Sequence, residues 1–91
     1  MNLLRKTIMY INKNKETSRQ ELIRECITDY ESINSLDTYI NMLWKAKYLK
    51  KFKPGHYKVI KHIPTLSTKR NILIEAYPNS LYLRRERNEK F

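Results

Sequence analysis

The sequence predicts one small α+β domain, in which helices are followed by a β-hairpin, with an extension at the C-terminus. The 91 residues are enough for one hydrophobic core and too few for two. Apolar residues recur at helical spacing through most of the first half of the chain. Two strand-like runs, residues 48–52 and 57–61, flank a Pro-Gly pair. We therefore place the domain at residues 1–64 and the extension at residues 65–91.

Two helices are predicted before residue 31. The first spans residues 2–14 and has one face at helical spacing that carries Leu4, Thr7, Ile8 and Ile11. The second spans residues 19–30, because Ser18 followed three residues later by Glu21 is typical of a capping box. Its apolar stripe consists of Leu22, Ile23, Cys26, Ile27 and Tyr30.

A third helix is predicted over residues 35–46. Its apolar face consists of Leu36, Ile40 and Leu43, flanked by Tyr39 and Trp44. Its opposite, polar face consists of Asn34, Thr38, Asn41, Met42 and Lys45. Three residues are competent N-caps, namely Ser32, Asn34 and Ser35, so the start of this helix stays open by a few residues. The short polar connection before it suits a helix-turn-helix.

The two strand-like runs predict a hairpin around Pro54-Gly55, a pair that suits the centre of a type II turn. Because a two-residue type II turn matches the twist of the strands poorly, we expect a loop of about four residues. The side chains expected to face the helices are Leu49, Tyr57 and Val59. Those expected to point toward solvent or phosphate are Lys50, Lys53, Lys58 and Lys61.

The extension after residue 64 allows two interpretations. N-cap residues at 65–68 favour a helix that includes Ile72, Leu73 and Ala76, whereas Ile72 to Ile74 also fits a strand. Since a core of about 60 residues is marginal alone, we expect residues 65–83 either to pack back on the domain or to form a homodimer. Residues 84–91 are predicted to be a charged tail.

The charge is positive and unevenly distributed. The net charge is +10, and residues 38–74 contain nine Lys or Arg and no acid. Residues 16–37, in contrast, carry six acids and two arginines. A field of this kind attracts a polyanion to one face.

The composition argues against catalysis. A single glycine excludes glycine-rich nucleotide motifs. The lone Cys26 excludes an internal disulfide and suits a core position. His56 and His62 lie in or beside the hairpin and Cys26 in a different predicted element, so a zinc site lacks its ligand set. We therefore expect no enzyme activity, no metal and no cofactor. The sequence contains neither a membrane span nor a secretory signal, which predicts a bacterial or host-cell cytoplasmic location without a membrane partner.

Two stretches resemble the winged helix-turn-helix superfamily, especially its small phage and mobile-element members. They are residues 35–49, SLDTYINMLWKAKYL, and residues 55–59, GHYKV. The resemblance covers residues 2–63 and implies three helices, a recognition helix that begins near Ser35, and a two-stranded wing at residues 50–58. Lys47 departs from the family, which usually has Gly there in a left-handed C-cap; a non-Gly residue in that conformation costs about 1 kcal/mol.

The resemblance and the charge together favour a DNA-binding protein, a small phage or bacterial transcriptional regulator, with double-stranded DNA as its partner. The residues expected to contact bases are Asn34, Ser35, Thr38 and Asn41. Those expected to contact phosphates are Lys45, Lys50, Lys51, Lys53, His56 and Lys58. Asn41 is the strongest candidate for specificity, because an amide bonds adenine N6 and N7 together. Asp37 is unfavourable beside phosphate unless it caps the helix or accepts from a cytosine amino group.

Two alternatives stay open. The same fold also serves as a protein-interaction module that inhibits a host or immunity protein, and its contacts would include the acidic second helix, Phe52 and residues 81–83. RNA binding is the third interpretation, because Tyr48, Phe52 and Tyr57 alternate with lysines and are able to stack bases. It ranks last because the hairpin pattern requires Tyr57 to face inward.

Overall fold

The computed structural model describes residues 2–28 and 31–79. The elements in chain order are α1 (Leu3–Asn14), β1 (Glu16–Ser18), α2 (Arg19–Cys26), α3 (Ile33–Lys45), β2 (Leu49–Lys53), β3 (His56–Val59) and α4 (Lys69–Ala76). The described chain is therefore an α+β structure with four helices and one antiparallel sheet. No helix within these ranges has the length and apolar character needed to cross a bilayer.

The sheet has three strands in the order β1-β3-β2, which corrects the prediction of a two-stranded hairpin. The short β1 pairs with β3 from Glu16 opposite Lys58 to Ser18 opposite His56. The pairing continues beyond both ends, since Val59 N–H donates to the Lys15 carbonyl at 2.7 Å and Arg19 N–H donates to the Gly55 carbonyl at 2.8 Å. Three residues are too few to show strand alternation, so β1 could not be predicted from the sequence.

Helix α2 begins as expected but ends four residues earlier than predicted. The Ser18 hydroxyl accepts from the Glu21 N–H at 3.1 Å, which confirms the N-cap. At the other end Ile27 is extended, with φ −82° and ψ 125°. The Glu31 carboxylate then accepts from the N–H and the hydroxyl of Thr28, at 2.9 and 2.8 Å. These bonds link Thr28 to Glu31 where the apolar stripe had predicted more helix. Tyr30 of that stripe and its neighbour Asp29 lie outside the described residues.

Helix α3 begins at Ile33, two residues before the predicted start, because Ser32 is the N-cap and its hydroxyl accepts from the Asn34 N–H at 3.1 Å. Its C-terminal end is a Schellman motif. Lys47 N–H donates to the Trp44 carbonyl and Tyr48 N–H donates to the Leu43 carbonyl, both at 3.0 Å. Lys47 has φ 67°, so the left-handed conformation is kept despite the lysine. The backbone therefore leaves α3 in the same direction as it would with a glycine at this position.

The hairpin turn is shorter than predicted. Strands β2 and β3 are joined by Pro54 and Gly55 alone, and Gly55 has φ 76°, as the third position of a type II turn requires. The pairing shifts register between Lys51, opposite Tyr57, and Lys53, opposite His56. This leaves Phe52 as the extra residue of a β-bulge. A bulge increases the local twist, which compensates for the poor twist of the two-residue turn.

The core joins the helices, the hairpin and the extension. Leu49 is buried, and Tyr57 and Val59 pack against the core, which confirms the predicted orientation of the hairpin. Residues from each of α1, α2, α3 and α4 contribute fully buried side chains: Ile8, Ile11, Leu22, Leu36, Leu43 and Ile72. Of the two interpretations of the extension, the helix is confirmed, because Ile72 lies in α4 and its side chain is buried.

Helix α4 packs against α3 and is fixed at both ends. Its N-cap is Thr68, whose hydroxyl accepts from the Asn71 N–H at 3.1 Å. Near its C-terminal end the carboxylate of Glu75 accepts from the hydroxyl of the buried Tyr48, at 2.8 and 2.7 Å from its two oxygens. The part of the extension that the structure describes thus packs back on the same chain, and residues 80–83 of the expected contact segment lie outside it.

Candidate nucleic-acid interface

The polar face of α3 is open to solvent at most of the positions expected to contact bases. Asn34, Thr38 and Asn41 are exposed, whereas Ser35 is half-buried. The Thr38 hydroxyl donates to the Asn34 carbonyl at 3.0 Å, so its proton is engaged within the helix and its oxygen remains an acceptor. The Asn41 amide has no hydrogen-bond partner among residues 2–28 and 31–79. Both its donor and its acceptor are therefore available to a ligand.

One assignment on α3, that of Met42, was wrong, and Trp44 is more exposed than its place beside the apolar face suggested. Met42, expected on the polar face, is only 2% exposed, whereas Trp44, expected beside the apolar stripe, is 40% exposed. Helix α4 packs against α3 as well, so the buried part of α3 is wider than the stripe in the sequence. On a helical wheel, Trp44 lies between the apolar and the polar face of α3. The packing of neighbouring elements therefore determines how exposed its side chain is.

A bidentate ion pair neutralises the one acid on this face. Arg19 donates from Nε to Asp37 Oδ1 at 2.6 Å and from Nη2 to Oδ2 at 3.0 Å. These bonds keep the pKa of the Asp37 carboxyl below its usual value. Asp37 therefore neither caps α3 nor stays an uncompensated charge, and the repulsion expected between it and phosphate is reduced.

A concavity of about 230 Å³ lies between α3 and the sheet. Its lining consists of Asp37, Ile40, Asn41 and Trp44 from α3 with Lys51 and Tyr57 from the sheet. Lys45 lies beside it, with its Nζ 5.1 Å from the centroid of the Trp44 ring, a cation–π contact. The structure thus brings together Asn41, Lys45 and Lys51, three of the residues expected to contact DNA.

The outer face of the sheet holds two of the predicted phosphate contacts in an unfavourable pairing. Lys50 and Lys58 are exposed and directly opposite each other across β2 and β3. Like charges at such positions destabilise a sheet. On its other side Lys58 is opposite Glu16 of β1, which offsets part of that repulsion. An anion bound between the lysines would relieve the remainder.

At the tip of the hairpin, Lys53 is exposed whereas His56 is half-buried. The His56 ring is tilted at 52° to that of Phe52, with centroids 5.8 Å apart. The His56 ring therefore contacts another side chain of the hairpin, and it is less available to a ligand than the exposed lysines. Within the described residues, no three His, Cys, Asp or Glu side chains are grouped to hold a metal ion.

Two features of the interface were missed in the sequence. The Arg19–Asp37 pair joins residues 18 positions apart, and no local pattern connects them. The exposure of Trp44 depends on the packing around α3. Its spacing three residues after Asn41 was visible in the sequence, however, and places both side chains on neighbouring parts of one helix surface.

Comparisons of the chain with models of protein families, with curated proteins and with solved structures found no match. The winged-helix resemblance therefore rests on the residues of this chain alone.

Proposed function

We propose that this protein is a winged helix-turn-helix protein that binds double-stranded DNA and acts as a small transcriptional regulator in a phage-infected or bacterial cytoplasm. The order of elements supports the proposal. Helices α2 and α3 are joined by a short connection, and the hairpin of β2 and β3 follows α3 directly. In that arrangement α3 enters the major groove and the hairpin lies against the neighbouring backbone.

The observation that carries the proposal is the exposed positive charge on α3 and the hairpin. All five lysines proposed to contact phosphate are exposed: Lys45, Lys50, Lys51, Lys53 and Lys58. No acid occurs between residues 38 and 74, and the nearest, Asp37, is paired with Arg19. A surface with this charge binds a polyanion, and lysines position DNA without selecting its sequence.

Sequence selection is assigned to the polar face of α3. Asn41 has a free amide that is able to bond adenine N6 and N7 together. Asn34 and Thr38 are exposed on the same helix and contribute further contacts. Ser35 is half-buried, so any contact that it makes with DNA is at the start of α3.

Selection of bound sequences from a pool of random duplex DNA tests the proposal, since it measures binding and specificity together. We expect a retarded complex at low salt and enrichment of a short motif with at least one defined adenine. Failure to retard any duplex at micromolar protein would exclude the proposal.

A second candidate function is a protein-interaction module of the same fold that inhibits a nucleic-acid-binding host or immunity protein. It is favoured by exposed apolar side chains at the hairpin, where Phe52 is 44% and Ile60 58% exposed. Single exposed apolar residues are common, so this observation weighs less than the charge. The same DNA retardation experiment separates the two, because the interaction module requires no affinity for free duplex.

The RNA alternative loses one of the aromatic residues expected to stack on bases, since Tyr48 is only 5% exposed.

A further inference from the structure

A large aromatic side chain, Trp44, is partly exposed on α3. Trp44 is the only tryptophan of the chain and is 40% exposed on the helix proposed to enter DNA. It lines the same concavity as Asn41 and Lys51. An indole in a groove that also contains an amide and a lysine is suited to an apolar group that approaches together with phosphate.

The spacing of Asn41 and Trp44 allows the two side chains to contact neighbouring bases together. Side chains three residues apart on a helix have Cβ atoms about 5–6 Å apart, and successive bases of one strand are about 3.4 Å apart. The two side chains therefore reach the edges of the same base pair or of two adjacent pairs. The Lys45 ammonium over the Trp44 ring limits the orientations that the indole adopts.

We propose that Asn41 and Trp44 together recognise an adenine and a thymine in the major groove, a specificity that rests on the proposed DNA-binding function. The Asn41 amide bonds adenine N6 and N7, and the Trp44 ring packs against the C5-methyl group of thymine. That methyl is the one apolar group that the four natural bases present in the major groove. The lysine across the concavity, Lys51, contacts the flanking phosphate.

The charges around the concavity favour this occupant over a cation or a small acid. The Asp37 carboxylate already accepts two hydrogen bonds from Arg19, so it is not free to bind a cation. The remaining lining combines one free amide, one lysine and three apolar or aromatic side chains, Ile40, Trp44 and Tyr57. This mixture fits an A·T pair, which offers hydrogen-bonding groups and a methyl beside a phosphate backbone.

The test uses the full-length protein and the duplex selected from the random pool. Each thymine of the selected site is replaced in turn by deoxyuridine, which removes only the methyl group, and affinity is measured by electrophoretic retardation and by the fluorescence of Trp44. We expect about fourfold weaker binding at one or two positions next to the adenine that Asn41 requires. Trp44→Ala should bind thymine and uracil sites equally, and Trp44→Phe should keep part of the difference. Phe52→Ala, which changes an exposed aromatic residue outside the concavity, should keep all of it.

Three results would overturn the inference. Equal affinity of the wild-type protein for every thymine and uracil site would exclude the contact between Trp44 and the methyl group, whereas the proposal of DNA binding would stand. Quenching of Trp44 by single-stranded oligonucleotide as strong as by duplex would indicate base stacking instead. Binding to no duplex at all would remove the proposed function together with this inference. The first comparison needs no variant, so it does not depend on how well Trp44→Ala folds.

Discussion

At the scale of single residues, left-handed backbone at a lysine is the main departure from the expected pattern. Lys15 and Lys47 both have positive φ, 66° and 67°, where a Cβ atom crowds the following carbonyl. Each stands at the end of a helix and before a strand of the sheet. At Lys47 the hydrogen bonds of the Schellman motif hold the conformation, so the strain does not redirect the hairpin.

Lys47→Gly should therefore stabilise the protein. Removing the Cβ relieves a penalty of about 1 kcal/mol in the folded state, part of which is offset by the greater freedom of glycine in the unfolded chain. Urea unfolding of the variant should show a higher midpoint than the wild type. Lys47→Ala is the matched control, because it removes the charge and keeps the strain; a gain as large in Ala as in Gly would contradict the left-handed assignment.

Asn41→Ala should weaken binding to the selected DNA site by about 1–3 kcal/mol and leave binding to random duplex nearly unchanged. The reason is that Asn41 is assigned to a base edge, and its exposed side chain has no partner in the described part of the chain. Lys45→Ala provides the comparison, because loss of a phosphate contact weakens both complexes alike. Equal losses for Asn41→Ala on both duplexes would remove Asn41 from base recognition.

The free energy of unfolding should fall at low pH, because an ion pair between α1 and the loop before α3 is lost when its carboxylate is protonated. Lys6 and two donors on Thr28 bond the Glu31 carboxylate and lower its pKa from 4.5 to about 2. A carboxyl whose pKa is lower in the folded state stabilises the protein above its unfolded pKa and loses that effect as it is protonated. The stabilisation should therefore be complete above pH 5 and be lost between about pH 4.5 and 2.

Urea unfolding of the wild type and of Glu31→Gln from pH 6 to pH 2 measures this effect. The difference in unfolding free energy between them should shrink as pH falls through that range. A difference that is independent of pH would show that Glu31 is not bonded as described.

At the scale of elements, α4 shows how the C-terminal extension contributes to the domain. Ile72 is fully buried against the rest of the core, and the Tyr48–Glu75 hydrogen bond ties α4 to the start of the hairpin. Lys61, just after β3, lies over the Tyr48 ring with its Nζ 4.5 Å from the centroid. The helix therefore stabilises the segment from which the hairpin projects.

Ile72→Ala should lower the free energy of unfolding by about 2–4 kcal/mol, since it leaves a cavity between α4 and the core. Leu66→Ala is the control, because Leu66 is 75% exposed and its truncation should change little. Thermal and urea unfolding measure both variants. A loss below about 0.5 kcal/mol for Ile72→Ala would mean that α4 does not pack against the core in solution.

The elements also show which parts of the fold can be predicted from sequence. Helix α1 and the core-facing residues of the hairpin follow from periodicity, and the start of α2 from its N-cap. The end of α2 depends on hydrogen bonds from Thr28 to Glu31, which compete with the longer helix that the apolar stripe predicts. The pairing of β1 depends on a strand distant in sequence, and the bulge at Phe52 depends on register, which no local pattern contains. For the candidate site, the exposed lysines and Asn41 could be predicted, whereas the Arg19–Asp37 pair and the exposure of Trp44 required the tertiary arrangement.

At the scale of the whole molecule, the distribution of charge is the property that connects the fold to a function. The acids of residues 16–37 are partly engaged with basic or hydroxyl groups of their own surroundings: Asp37 with Arg19, Glu31 with Lys6 and Thr28, and Glu21 with the Tyr10 hydroxyl. The lysines of the hairpin include a directly opposed pair, Lys50 and Lys58. Part of the excess positive charge is therefore left on the surface proposed to face DNA, where it both attracts the polyanion and is stabilised by it.

The dependence of duplex affinity on salt tests this account most directly. If Lys45, Lys50, Lys51, Lys53 and Lys58 each neutralise a phosphate, the logarithm of the association constant should fall with the logarithm of salt concentration with a slope of about −4 to −5. Replacing any one of the five by alanine should reduce the slope by about 1, whereas Lys13→Ala on α1 should leave it unchanged. No binding at micromolar protein in low salt, or a slope between 0 and about −2, would contradict the claim that α3 and the hairpin form a DNA-binding surface.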